Sequence, residues 1–84
     1  MKARQLIENA AYGPETLRVL FLAFDEAWAS VAGNFGNHPS AAETARTKLA
    51  SIILDIAQEG ESDPAKIKNA ALQAMALDYR EGLE

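Results

Sequence analysis

Apolar residues recur along this chain in steps of three and four, in three sets that keep one phase relative to three prolines. After Pro14 come Leu17, Leu20, Phe24, Ala27 and Val31. After Pro39 come Ala42, Ala45, Leu49, Ile52 and Ile56, and after Pro64 come Ile67, Ala70, Ala74 and Leu77. This stepping marks the seam of a packed helix, and no segment sustains the period of two that a half-buried strand requires. The prolines are evenly placed, 39 − 14 = 25 and 64 − 39 = 25 residues apart. Proline suits a first helical turn, where its missing N–H has no intrahelical acceptor to satisfy. The pattern predicts helices over about 14–32, 39–59 and 64–81. Residue identities do not recur with the spacing, so it reflects equal helix lengths and not a repeat array.

The boundaries carry their own chemistry. Ser40 precedes Glu43 by three, a capping-box pattern, and Asp63 is placed to cap the helix that Pro64 opens. Gly33 and Gly60 stand where the first two long helices should stop, suited to left-handed positions. The N-terminal "ARQLIENAAY" predicts a short helix within about 2–12, with Leu6, Ile7, Ala10 and Ala11 on its packed side. Connections of about six and four residues are short enough for antiparallel neighbours. The expected fold is all-α: an antiparallel three-helix bundle with a short N-terminal helix, residues 1–84 forming one small helical domain.

Composition narrows the ways in which such a fold can be held together. A domain of 84 residues buries about 60% of its unfolded surface and gains little stability to spare. There is no cysteine and one histidine, so disulfides, thiolate zinc sites and a histidine-rich metal site within one chain are excluded. Helix packing, association of copies, or both remain. The net charge of −4 disfavours broad contact with nucleic acid or an anionic membrane. The longest strictly apolar run, Val19 to Phe24, is far too short to span a bilayer. Glu8 and Asn9 interrupt any apolar core near the N-terminus, so this stretch does not read as a secretory signal, and a cytoplasmic location is expected.

The stretch that most resembles chemistry is "GNFGNHPS", residues 33–40, which contains the only histidine, His38. Glycine-rich loops that feed helix N-termini can hold anions. A phosphate loop also needs a lysine, and none lies between Arg18 and Arg46; a dinucleotide loop should follow a strand, and here a helix precedes it. The reading is a turn, with Gly33 ending one helix, Phe35 covering the bundle end and Gly36 turning the chain. "EGESD" alternates three carboxylates, but Pro64 starts a helix too soon for a twelve-residue calcium loop. Asp25 and Glu26 diverge by about 100° on their helix and form no dyad. Phe21, Phe24 and Trp28 form an aromatic stripe that could hold a small apolar ligand in the bundle core, although core packing is the simpler reading. Lys66 and Lys68, with Arg46 and Lys48, could form a local basic patch for DNA or RNA. The acidic turn before Lys66 opposes a helix-turn-helix.

The stretches "YGPETLRVLFLAFDEAWASVAGNFG" and "AALQAMALDYR" resemble a group of short, uncharacterised bacterial proteins. The resemblance covers much of the chain and implies a free-standing bacterial cytoplasmic protein, with no activity, cofactor or catalytic residue carried over. The expected function class is a non-enzymatic interaction module or small adaptor without cofactor, self-associating as a homodimer or joined to another protein. The first long helix motivates this. Its core seam leaves Val19 and Leu22 pointing elsewhere, and a helix apolar on nearly all sides is usually buried on nearly all sides. Either the N-terminal helix covers them through Leu6 and Ile7, or a second subunit does. Val19, Leu22, Leu6 and Ile7 are therefore the candidate interface residues.

Overall fold

The computed structural model describes residues 2–35 and 38–82. Four α-helices follow one another: α1 (Lys2–Glu8), α2 (Pro14–Val31), α3 (Pro39–Gln58) and α4 (Pro64–Gly82), with a 3-10 helix, Ala32–Phe35, continuing α2. No strand occurs among the described residues. The three prolines each open a long helix. The first intrahelical bonds close behind them, from Leu17 N–H to Gly13 O, Ala42 N–H to His38 O and Ile67 N–H to Asp63 O, each at 2.9 Å.

Two of the expected caps form. The Asp63 carboxylate accepts from the Ala65 N–H at 3.0 Å. Gly60 takes φ 101°, and its N–H donates to Ala57 O at 3.0 Å, closing α3. A Cβ at Gly60 would meet nothing within 4 Å, so the demand for glycine there is conformational.

Two other expectations are corrected. Ser40 is not the cap of α3. The N-cap falls two residues earlier, at His38, with Pro39 opening the helix, and no side-chain cap bond is made. Pro39 fixes the start, which puts Ser40 inside the first turn, and Glu43 pairs with Arg46 at 2.7 Å instead. Gly33 does not turn left-handed. Ala32 keeps helical angles and the chain tightens into the 3-10 helix. Residues 36–37, including the Gly36 turn, and the side chain of Phe35 lie outside the described part.

The N-terminal helix is shorter than the expected 2–12. Past Glu8 the bonds shift to shorter spans, Ala10 N–H to Ile7 O and Tyr12 N–H to Ala10 O. The cause lies downstream. Gly13, preceding a proline, is held extended (φ −71°, ψ 169°), and the chain must turn before it.

The helices share one core. Residues Leu20, Ala23, Phe24 and Ala27 of α2 meet Ala45, Leu49, Ala50 and Ile53 of α3 and Ile67, Ala71 and Met75 of α4, while α1 adds Ala3 and Ile7. No polar or charged residue is buried among the described ones. Helix α3 is the hub, packed against α1, α2 and α4, and α1 rests mainly on α3. The radius of gyration, 12.3 Å, agrees with the roughly 12 Å expected for a packed domain of this length.

The α2 seam runs through Leu20, Phe24 and Ala27 as the periodicity puts it; it also takes in Ala23, whereas Leu17 and Val31 are only partly buried. The α3 face is wider than a seam, taking in Ala50 and Ile53, because three helices surround it. The α4 seam differs: Ile67, Ala71 and Met75 are buried, whereas Leu77, expected inside, is 57% exposed. Alanines at 65, 70, 71, 74 and 76 make several lines around α4 equally apolar, so the sequence pattern does not single out the buried one. This register gives a direct expectation. Met75→Ala should cost about 2–5 kcal/mol in urea unfolding, as buried truncations do. Leu77→Ala should stay within about 0.5 kcal/mol, as exposed substitutions do. The reverse order would place the seam on Leu77.

Candidate functional site

The second helix carries apolar residues on both sides of its core seam, and the two flanks meet different fates. Phe21 and Trp28 lie on one flank, both partly buried against the core. The Arg4 guanidinium of α1 sits 4.6 Å from the Phe21 ring centre, and the Arg46 guanidinium of α3 sits 5.3 Å from that of Trp28. Each cation is pinned by a carboxylate: Arg4 Nη1 to Asp25 Oδ1 at 2.9 Å, Arg46 Nη2 to Glu43 Oε2 at 2.7 Å. Both groups of the first pair are about half exposed, so that ion pair itself adds at most about 1 kcal/mol. Its effect is positional, holding a flat cation over a ring face.

This arrangement bears on two of the sequence expectations. Phe24 is buried in the core, and Phe21 and Trp28 each have an arginine over the ring. The four residues of the expected basic patch lie on two helices, Arg46 and Lys48 on α3 and Lys66 and Lys68 on α4. Arg46 turns inward to Trp28 and Glu43, with its Nε buried and without a hydrogen-bond partner. Lys48 stands two residues further on, about 200° around α3, and Lys66 and Lys68 are separated by the same angle on α4. His38 is exposed at the N-cap of α3. Among the described residues no three acidic, histidine or cysteine side chains are grouped to hold a metal ion. No helix among them is long and apolar enough to cross a membrane.

Val19 and Leu22 lie on the other flank. Phe21, which the Arg4 of α1 covers, is two residues or about 200° from Val19 around the helix. On this flank Leu22 is 46% exposed. Within α1, Ile7 is fully buried in the core, and Leu6 is 39% exposed. The four candidate residues thus divide into one core residue, one half-buried residue, Val19, and two exposed leucines on different helices.

Val19 also forms part of a cleft where α2 meets the α3–α4 turn and the start of α4. Its volume is about 180 Å³. The floor is apolar, made by Val19, Leu20 and Ile67, and the rim is polar, with Glu15 and Thr16 on one side and Glu61 and Ser62 on the other. A larger, more open depression of about 460 Å³ follows the outer face of α3 past Thr44, Thr47 and Ser51. The described lining of that depression comes from a single helix, whereas the smaller cleft gathers residues from two helices and a turn around an apolar floor. Sequence reasoning singled out Val19 as misplaced relative to the seam but not Ile67, Glu15 or Glu61 as its neighbours. That grouping depends on how the α3–α4 turn folds back beside α2.

No family model, curated protein or solved structure matches the chain.

Two outcomes follow from the first flank and from the turn. Trp28 is the only tryptophan. Arg46→Ala should shift its emission to the red as the ring face meets water, and should cost about 1–2 kcal/mol in urea unfolding. An unchanged spectrum would mean that the guanidinium does not cover the ring. His38→Ala should stay within about 0.5 kcal/mol of the parent protein, with zinc or phosphate leaving its melting temperature unchanged. Stabilisation by either ion, lost in the variant, would make His38 a ligand.

Proposed function

We propose that the protein is a non-enzymatic interaction module that self-associates as a homodimer, its three long helices arranged as an antiparallel bundle with α1 strapped across it. The short connections between the long helices and their mutual packing support the bundle. The observation that carries the functional reading is the uncovered flank of α2, where Leu22 stands 46% exposed one turn from half-buried Val19. A leucine placed opposite a helix's core seam gains nothing from its own fold, and association is how a small core without disulfides gains further burial.

Other features agree with this reading. The ion pairs Arg4–Asp25 and Arg46–Glu43 place arginines over aromatic rings of the other flank. A cytoplasmic setting suits a chain without cysteine. The bacterial origin implied by the sequence resemblance belongs to the same proposal.

Light scattering across a concentration series checks the association. The wild type should run as a dimer, and Leu22→Glu should run as a monomer with its helical circular dichroism intact. A wild type that stays monomeric at high micromolar concentration would remove self-association from the account.

A further inference from the structure

We infer that, in a two-fold dimer, Leu22 of each copy enters the cleft beside α2 of the other, while Arg18 reaches that cleft's acidic rim. This rests on the self-association proposed above and gives it a docking mode.

The cleft and the side chain that would fill it lie on one surface. Leu22 follows Val19 by three residues, so the exposed leucine adjoins the cleft floor on the same flank of α2. A two-fold interface requires that knob and socket belong to one continuous patch, because each copy must offer both. The cleft, about 180 Å³ with Val19, Leu20 and Ile67 beneath it, has room for an aliphatic side chain and not for a whole element. An apolar floor favours an apolar occupant, since a polar group entering it would give up water without finding a partner there.

Charge selects the neighbour of that side chain. The rim carries Glu15 and Glu61, and the Glu61 carboxylate accepts from the Ser62 N–H at 3.2 Å. Arg18 precedes Leu22 by four residues and shares its outward face. It follows Glu15 by only three, yet the two do not pair within the chain. An exposed cation thus stands beside an exposed leucine, and an apolar floor stands within an acidic rim. Each is the complement of the other. Each copy carries a net charge of −4, so two copies repel at long range, and docking needs local complementarity of this kind to fix its register.

The test uses the full chain in two charge-swapped forms. The first carries Arg18→Glu; the second carries Glu15→Lys and Glu61→Lys. Alone, each sets like charges against one another at both contacts and should self-associate at least tenfold more weakly than the wild type. Mixed, one contact pairs the new glutamate with the new lysines, and the other keeps the original arginine and glutamates. The mixture should assemble with an affinity near that of the wild type. Thr16→Trp, an exposed substitution at the cleft mouth, should weaken association of the wild-type chain by at least tenfold, and Ser51→Trp on the outer face of α3 should not. Circular dichroism of every variant establishes that it is folded. A dimeric wild type whose swapped forms each still dimerise, whose mixture fails to assemble, or which tolerates Thr16→Trp overturns this docking mode and leaves self-association standing. A monomeric wild type overturns both.

Discussion

Thirteen buried side chains, six of them alanine, hold the described part of this fold together, and that scarcity shapes everything around them. Ala23 and Ala27 on α2, Ala45 and Ala50 on α3 and Ala71 on α4 permit close approach of helices but remove little apolar surface from water. Phe24, Leu20, Leu49, Ile53, Ile67 and Ile7 supply most of the volume. With the helices drawn together by small residues, the remaining large side chains of α2 have no place inside and go to its flanks. Helix α1, only seven residues long, earns its place by burying Ala3 and Ile7 against that same core.

The two flanks of α2 solve this problem in different ways. Phe21 and Trp28 are roofed within the chain by arginines, each held by a carboxylate. Each guanidinium shields an aromatic ring without adding to the core. Val19 and Leu22 have no such roof. In the proposed dimer a second copy supplies it, and the exposed Arg18 becomes the counterpart of the arginines on the opposite flank.

The all-helical architecture was legible because proline and capping chemistry act locally. Pro14, Pro39 and Pro64 fixed where the long helices begin, and Asp63 and Gly60 acted as their residue types suggest. Ser40 and Gly33 show the limit of the same logic: Pro39 determined the start of α3 before a serine cap could, and glycine permits a left-handed turn without requiring one. The α4 register was hidden by its alanines, which leave Ile67–Ala71–Met75 and Ile67–Ala70–Ala74 equally apolar on paper. At the candidate site, Val19 and Leu22 were visible as apolar residues out of phase. The pairing of Glu43 with Arg46 spans three residues and has a local signature, whereas Arg4 with Asp25 joins separate helices and has none. The cleft itself required Glu61 and Ile67 to fold back beside Glu15 and Val19, a relation between distant segments that no spacing encodes.

The central claim is that the uncovered flank of α2 is completed by a second copy, with Leu22 seated over Val19 and Ile67. An isotope-filtered nuclear Overhauser experiment on a mixture of labelled and unlabelled protein reads this contact directly. The account expects intermolecular cross-peaks from the Leu22 methyls to the methyls of Val19 and Ile67, within a symmetric dimer. Intermolecular cross-peaks confined to other residues, or none at concentrations where light scattering reports a dimer, would contradict it.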